Sequence, residues 1–145
     1  MYIGSGGIGF TSAQSLAQNH PGLNELTPTM QEAGRHVFVE MEGRGWKPEF
    51  VESPLRTPEQ QAEKVSSGVS HTMNSKHLDQ GGEGSGAMDI MDKRWGQVDN
   101  TKKQQRFFKE LGEVGKDNGL KWGGDFTPSS SRTGYGWDPA HLEGK

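Results

Sequence analysis

Apolar positions spaced three and four residues apart mark three stretches of this chain as helices. Met30, Ala33, Val37 and Met41 form one such stripe, and Thr27 followed by Pro28 supplies an N-cap with proline at the first helical position. A sharper start signal is Thr57-Pro58-Glu59-Gln60, a capping box that opens a helix running toward Gly68. Phe107, Phe108, Leu111 and Val114 predict a third helix over residues 101–116, with Gly119 placed to stop it. Short extended runs fall at residues 49–52, 69–76, 87–91 and 140–143. Helices early and late with strands between them predict an α+β fold, with helices packed on one face of a small, mostly antiparallel sheet.

Composition refines this picture. The 145 residues suffice for one core, but the hydrophobic fraction of 29% is low and Gly numbers 22, so short elements joined by many loops are expected. Four Trp and six Phe are spread along the chain as core material, which argues against disorder. Residues 1–24 are rich in Gly, Ser and Gln and read as a flexible arm ahead of a single domain over residues 25–145. Within the arm, Gly4-Ser5-Gly6-Gly7-Ile8-Gly9 matches the dinucleotide fingerprint formally, yet only three residues precede Gly4 and leave no room for the strand that fingerprint needs.

Charge excludes further classes. A net charge of -3 without any block of Lys or Arg argues against a nucleic-acid partner or attraction to a membrane surface. No apolar stretch reaches the roughly 20 residues of a spanning helix, so membrane insertion is not expected, and the chain reads as a monomer. With no Cys, neither disulfides nor thiolate ligands are available.

Candidate chemistry is concentrated in Ser75-Lys76-His77, Ala87-Met88-Asp89 and Asp138-Pro139-Ala140-His141-Leu142-Glu143. Two histidines and an aspartate are ligands suited to Zn2+, with a fourth position left for a water whose pKa the metal lowers to about 7. Asp138, three residues before His141, is the natural general base. In a strand, Ala87, Asp89 and Met91 point one way while Met88 and Ile90 point the other, so Asp89 faces the site with only small Ala87 beside it. His141 and Glu143 share a face in the same way, with Leu142 behind them in the core. Pro139 disfavours helical backbone at Asp138, which suggests an extended approach to the strand. His20, His36 and His71 lack such surroundings and read as structural.

Together Ser-x-His, Ala-x-Asp and Asp-x-x-His-Leu-Glu, preceded by Lys121-Trp122-Gly123-Gly124-Asp125-Phe126, resemble the M15 family of zinc peptidases over roughly residues 40–143. That family includes D-alanyl-D-alanine dipeptidases and carboxypeptidases and phage L-alanyl-D-glutamate endolysins, and the Trp-Gly-Gly-Asp-Phe stretch is most like the endolysin branch. The resemblance implies Zn2+ held by His77, Asp89 and His141, with Asp138 as catalytic carboxylate. It also implies a role for Arg56 in binding the substrate or polarising its carbonyl. The expected partner is the bacterial peptidoglycan stem peptide, cut between L-Ala and D-Glu. The N-terminus lacks a secretory signal pattern, which fits a lysis enzyme made in a host cytoplasm and acting in the periplasm or cell wall after release. Two alternatives share the motif: a D-Ala-D-Ala carboxypeptidase or dipeptidase, and a non-catalytic zinc module that binds cell wall.

One departure from the family pattern is plain. Eleven residues separate His77 from Asp89, where the family's motif is compact, and position 85 is Ser instead of Gly. The extra residues, within 78–86, read as a lengthened hairpin tip that covers the substrate. Asp79 and Glu83 in it offer oxygen ligands for a regulatory Ca2+, although EF-hand spacing is absent. Trp122, Tyr135 and Trp137 are candidates for cleft walls, with a core role weighed for Trp122.

Overall fold

The computed structural model describes residues 12–70, 72–96 and 101–145, with side chains from residue 16 onward. The Gly4 to Gly9 stretch and His71 lie outside the described residues. Within them, helices α1 (Ser12–Asn19), α2 (Pro28–Gly43), α3 (Pro58–Ser66) and α4 (Lys102–Asp117) accompany strands β1 (Pro48–Phe50), β2 (Ala87–Asp92), β3 (Lys121–Trp122) and β4 (His141–Glu143). All strand pairs are antiparallel, in the order β1-β2-β4-β3. The fold is α+β, and no helix among the described residues is long and apolar enough to cross a membrane.

Threonine starts each of the three long helices. The hydroxyls of Thr27, Thr57 and Thr101 accept from the backbone N–H of Met30, Gln60 and Gln104, relieving donors that the first turn cannot satisfy internally. At α3 the Gln60 side chain returns the bond to the Thr57 N–H at 2.8 Å, completing the capping box. Helix α4 is capped at its C-terminus by Asn118, and Gly119 takes a φ of +80°, a conformation glycine adopts without a Cβ penalty.

Helices α2 and α4 cover the back of the sheet. Val37, Phe38 and Met41 of α2 and Phe107, Phe108 and Leu111 of α4 are fully buried together with Met88, Ile90 and Leu142 of the strands. Close approach of α4 depends on two missing side chains: a Cβ at Gly115 would run into Leu142, and one at Gly112 into the Trp122 ring. Of the stretch read as an arm, residues 12–19 form α1 and Pro21–Glu25 forms a 3-10 turn, with Leu16 and Leu23 in the core.

Two extended runs differ from expectation. The strand expected at 49–52 starts earlier, at Pro48, and its last ladder bond runs from the Val51 N–H to the Asp89 carbonyl. The described residues of the run expected at 69–76 form no strand, and their own side chains give the reason. The hydroxyls of Ser70, Thr72 and Ser75 accept from the N–H groups of Thr72, Asn74 and His77, two residues on in each case. Such local bonds offer the backbone an alternative to a ladder.

The far end of β2 is fixed by a buried carboxylate. Asp92 accepts from the Lys47 N–H and from the backbone and guanidinium of Arg94. Burial by itself would raise its pKa, but these donors outweigh burial and hold it below the ordinary carboxylate value. A depressed folded pKa means that the stabilisation is fully present above the unfolded value of about 3.9 and is lost as pH falls through the folded one. We expect Asp92→Asn to lower unfolding free energy at pH 7 by about 1–3 kcal/mol. In urea titrations the gap between the two proteins should narrow below about pH 4; a gap independent of pH would show that charge is irrelevant there.

Candidate metal centre

Register brings the first two site residues together. Asp89 on β2 and His141 on β4 are direct partners across the antiparallel pair, so both project from the front of the sheet. Their strand neighbours Met88, Ile90 and Leu142 face back into the core and are fully buried. Ala87 stands opposite Glu143, and its small side chain leaves Glu143 room to lean on His141. The alternation expected along both strands therefore holds.

His77 arrives by another route. It lies in a turn, not on a strand flanking a hairpin, because the Ser75 hydroxyl captures its N–H at 3.1 Å. Its carbonyl accepts from the Arg56 N–H at 2.9 Å, and the next residue, Leu78, bridges to Arg56. The Nδ1 of His77 lies 3.0 Å from the Pro54 carbonyl. A carbonyl only accepts, so Nδ1 carries a proton, and Nε2 faces Asp89 Oδ2 at 3.2 Å. At His141 the roles of the nitrogens are reversed. Nε2 is held by Glu143 Oε1 at 2.8 Å, while Nδ1 faces Asp89 Oδ1 at 3.1 Å. One ligand atom from each of His77, Asp89 and His141 fits within 4.8 Å of the others, and no other such group occurs among the described residues.

The Asp138-Pro139-Ala140-His141 segment is a β-turn, closed by the His141 N–H donating to the Asp138 carbonyl at 3.1 Å. This differs from the extended approach expected of Asp138; Pro139 disfavours helix and equally suits the second position of a turn. The turn carries Asp138 Oδ2 to 3.7 Å from His141 Nδ1. The Trp-Gly-Gly stretch clamps it from below: the Trp122 indole donates to the Pro139 carbonyl at 2.7 Å, and a Cβ on Gly123 would collide with the Asp138 carbonyl.

Charge at the site is strongly biased. Burial opposes a protonated His141, but hydrogen bonds to Asp89 and Glu143 outweigh it and push its pKa up to about 10. Burial likewise opposes an ionised Asp89, and the bonds from His141 and His77 hold it well below the usual carboxylate range. Contact with His141 also lowers Glu143. Burial and the charge of Asp89 push Asp138 up to about 6, against the opposing charges of His141, His77 and Arg56. Three carboxylates around two imidazoles favour positive charge between them, which a divalent cation supplies. Nitrogen and carboxylate donors suit zinc better than magnesium or calcium.

These residues line one side of a cleft of about 690 Å³, and Arg56, Lys64, Ser70 and Thr72 line it as well. Its aromatic wall is Phe126 and Trp137, with ring centroids 5.6 Å apart. Trp137 is 52% exposed, whereas Trp122 and Tyr135 belong to the core. Phe126, 5.8 Å from the His141 ring, was not distinguished in sequence from an ordinary core aromatic. His20 packs against Phe38 and Glu49, and His36 bonds Asn118, both outside the cleft.

Residues 78–86 do not cover the cleft. Ser85 exchanges backbone bonds with Glu25 and Thr27, and Gly84 packs so closely on Leu26 that a Cβ would strike its backbone. The carboxylate of Asp79 is engaged by the N–H groups of Gly82 and Gly84 at 2.7 and 2.8 Å. The substrate-covering loop is therefore corrected to a self-capped turn docked on the segment before α2. A separate cavity of about 760 Å³, lined in part by Thr27, His36, Gln80 and Asn118, has no group of three metal-capable side chains.

The fold is similar to that of the Serratia marcescens L-Ala D-Glu endopeptidase ChiX in its crystal structure. The TM-score is 0.59 and the identity 18%, over 86% of this chain and 84% of that one. No family model matches the chain, and no curated protein matches it by sequence.

Metal analysis tests the centre directly. We expect one ion per chain in the purified protein and its loss in His77→Ala and His141→Ala. Glu143→Leu should keep the ion but bind it about 10–100-fold more weakly in competition with a chelator, because the tautomer of His141 is then unsupported; unchanged affinity would exclude that role for Glu143.

Proposed function

We propose that this protein is a zinc-dependent peptidoglycan endopeptidase of the M15 type, a phage endolysin that hydrolyses the L-Ala–D-Glu bond of the stem peptide. The observation that carries the reading is the convergence of His77, Asp89 and His141 with the Asp138 carboxylate on one wall of an open cleft. It gains support from a fold shared with a protein described as an L-Ala D-Glu endopeptidase.

His77, Asp89 and His141 would hold the zinc, three protein ligands being the usual number at a catalytic site. When bound, zinc supplies a Lewis acid and a water acidified to a pKa of about 7. Asp138 takes the proton of the attacking water as the carbonyl carbon–oxygen bond forms. It returns that proton to the departing amine as the carbon–nitrogen bond breaks, so the carboxylate ends as it began. Arg56 lies on the cleft and is tied through its backbone to His77. Its guanidinium stabilises the negative charge that the reaction develops on the carbonyl oxygen, or meets a substrate carboxylate. Phe126 and Trp137 form an apolar wall that keeps water from one side of the peptide.

Mass spectrometry of digested muropeptides identifies the bond. New termini at L-Ala and D-Glu are expected; release of D-Ala alone would make the protein a D-Ala-D-Ala carboxypeptidase, and no cleavage at all would leave a wall-binding zinc module. Asp138→Asn should keep its zinc and fold while turnover drops by about 10²–10⁴-fold. Turnover equal to the parent's would move the proton transfer to another group.

A further inference from the structure

Gln61 has no exposed surface and does not line the cleft, yet every polar atom of its side chain is directed at residues that do. Its Oε1 accepts from Arg56 Nη1 at 2.6 Å, and its Nε2 donates to the Thr72 carbonyl at 2.6 Å and to the Ser70 hydroxyl at 2.8 Å. The orientation of this amide is unambiguous. A guanidinium can only donate and a carbonyl can only accept, so a flipped amide would face donor with donor and acceptor with acceptor. Helix α3 holds Gln61 rigidly, through the capping box at Thr57 and the bond from the Gln61 N–H to the Thr57 carbonyl. Among the described residues the Arg56 guanidinium is otherwise held only by Glu52, at 3.4 Å, and Glu52 is itself shared with Lys64.

The geometry points to Gln61 as a positioning residue that sets the Arg56 guanidinium at a fixed place against the wall formed by Ser70, Thr72 and Asn74. It reaches the substrate only through those groups. The assignment rests on the peptidase reading for its catalytic consequence and on the hydrogen bonds alone for its structural one. A buried amide donor and acceptor left unpaired are costly, so the arrangement admits no loose alternative. With the Gln61 acceptor removed, the guanidinium swings toward exposed Glu52, away from the orientation the cleft offers a substrate.

The experiment has two arms on the full-length, zinc-loaded protein. In the first, Gln61→Met should lower kcat/KM on muropeptides by about 10–100-fold with metal content unchanged, since misplacing a catalytic group by an ångström costs on this scale. The same substitution in an Arg56→Ala background should change kcat/KM by less than about twofold, because Gln61 then has no guanidinium to place. An equal fall in both backgrounds would overturn the proposal. In the second arm, nitrogen NMR of the Arg56 side chain should show restricted guanidinium rotation in the parent, averaged signals in Gln61→Met, and restriction retained in Gln61→Glu, which keeps an acceptor oxygen. Arg56 signals that are the same in the parent and Gln61→Met would overturn it whether or not the protein cuts peptidoglycan. If the parent cleaves nothing, the peptidase reading fails alone and the NMR arm still decides.

Discussion

Antiparallel pairing of β2 with β4 is the constraint on which the rest of the site depends. It sets Asp89 opposite His141 on the front while Met88 and Leu142 meet behind. Because side chains alternate with a period of two, a slip of one residue would send the carboxylate and the imidazole to the core and a Met or Leu to the cleft. The apolar burial of Ile90 and Leu142 against α4 therefore selects the register that the polar chemistry needs. Core and site are two faces of one choice, and neither can be altered without the other.

What could be read from the residues follows from how local each signal is. Thr27 and Thr57 announce their helices because a cap acts within four residues, and Asp89 and His141 show their facing because strand alternation is also local. His77 was recognised as a site residue, but its setting was not, since the bonds of its ring and backbone to Pro54 and Arg56 cross a sequence gap that no periodicity spans. The docking of Ser85 on Glu25 and Thr27 is equally non-local, so a glycine-rich segment that looks free in sequence is in fact anchored. Asp138 was legible as an acid three residues before His141, whereas the turn that aims it depends on Gly123 and Trp122 lying beneath. Gln61 carries no sequence mark at all beyond its distance from Arg56.

Several polar groups are buried here at a cost that hydrophobic replacements would avoid. A carboxylate such as Asp89 is tolerated because two imidazoles satisfy it, and each imidazole is in turn held by an acceptor of its own, Pro54 for one and Glu143 for the other. Interlocking of this kind makes the loss of any one member expensive for its neighbours, since each removal strands a buried partner. The front of the sheet is thus less favourable to folding than an apolar surface of the same shape would be, and the densely packed back compensates.

The glycines at positions 112 and 115 give that compensation a mechanical side. By letting α4 rest directly on Leu142 and on the Trp122 ring, they make the helix a rigid backing plate for the very strand and turn that carry His141 and Asp138. A side chain at either position would act as a shim between plate and strand, and its thickness would be transferred across the sheet to the side chains of His141 and Asp138. The precision of the cleft is in this sense machined from the rear, by two residues that contribute no side chain.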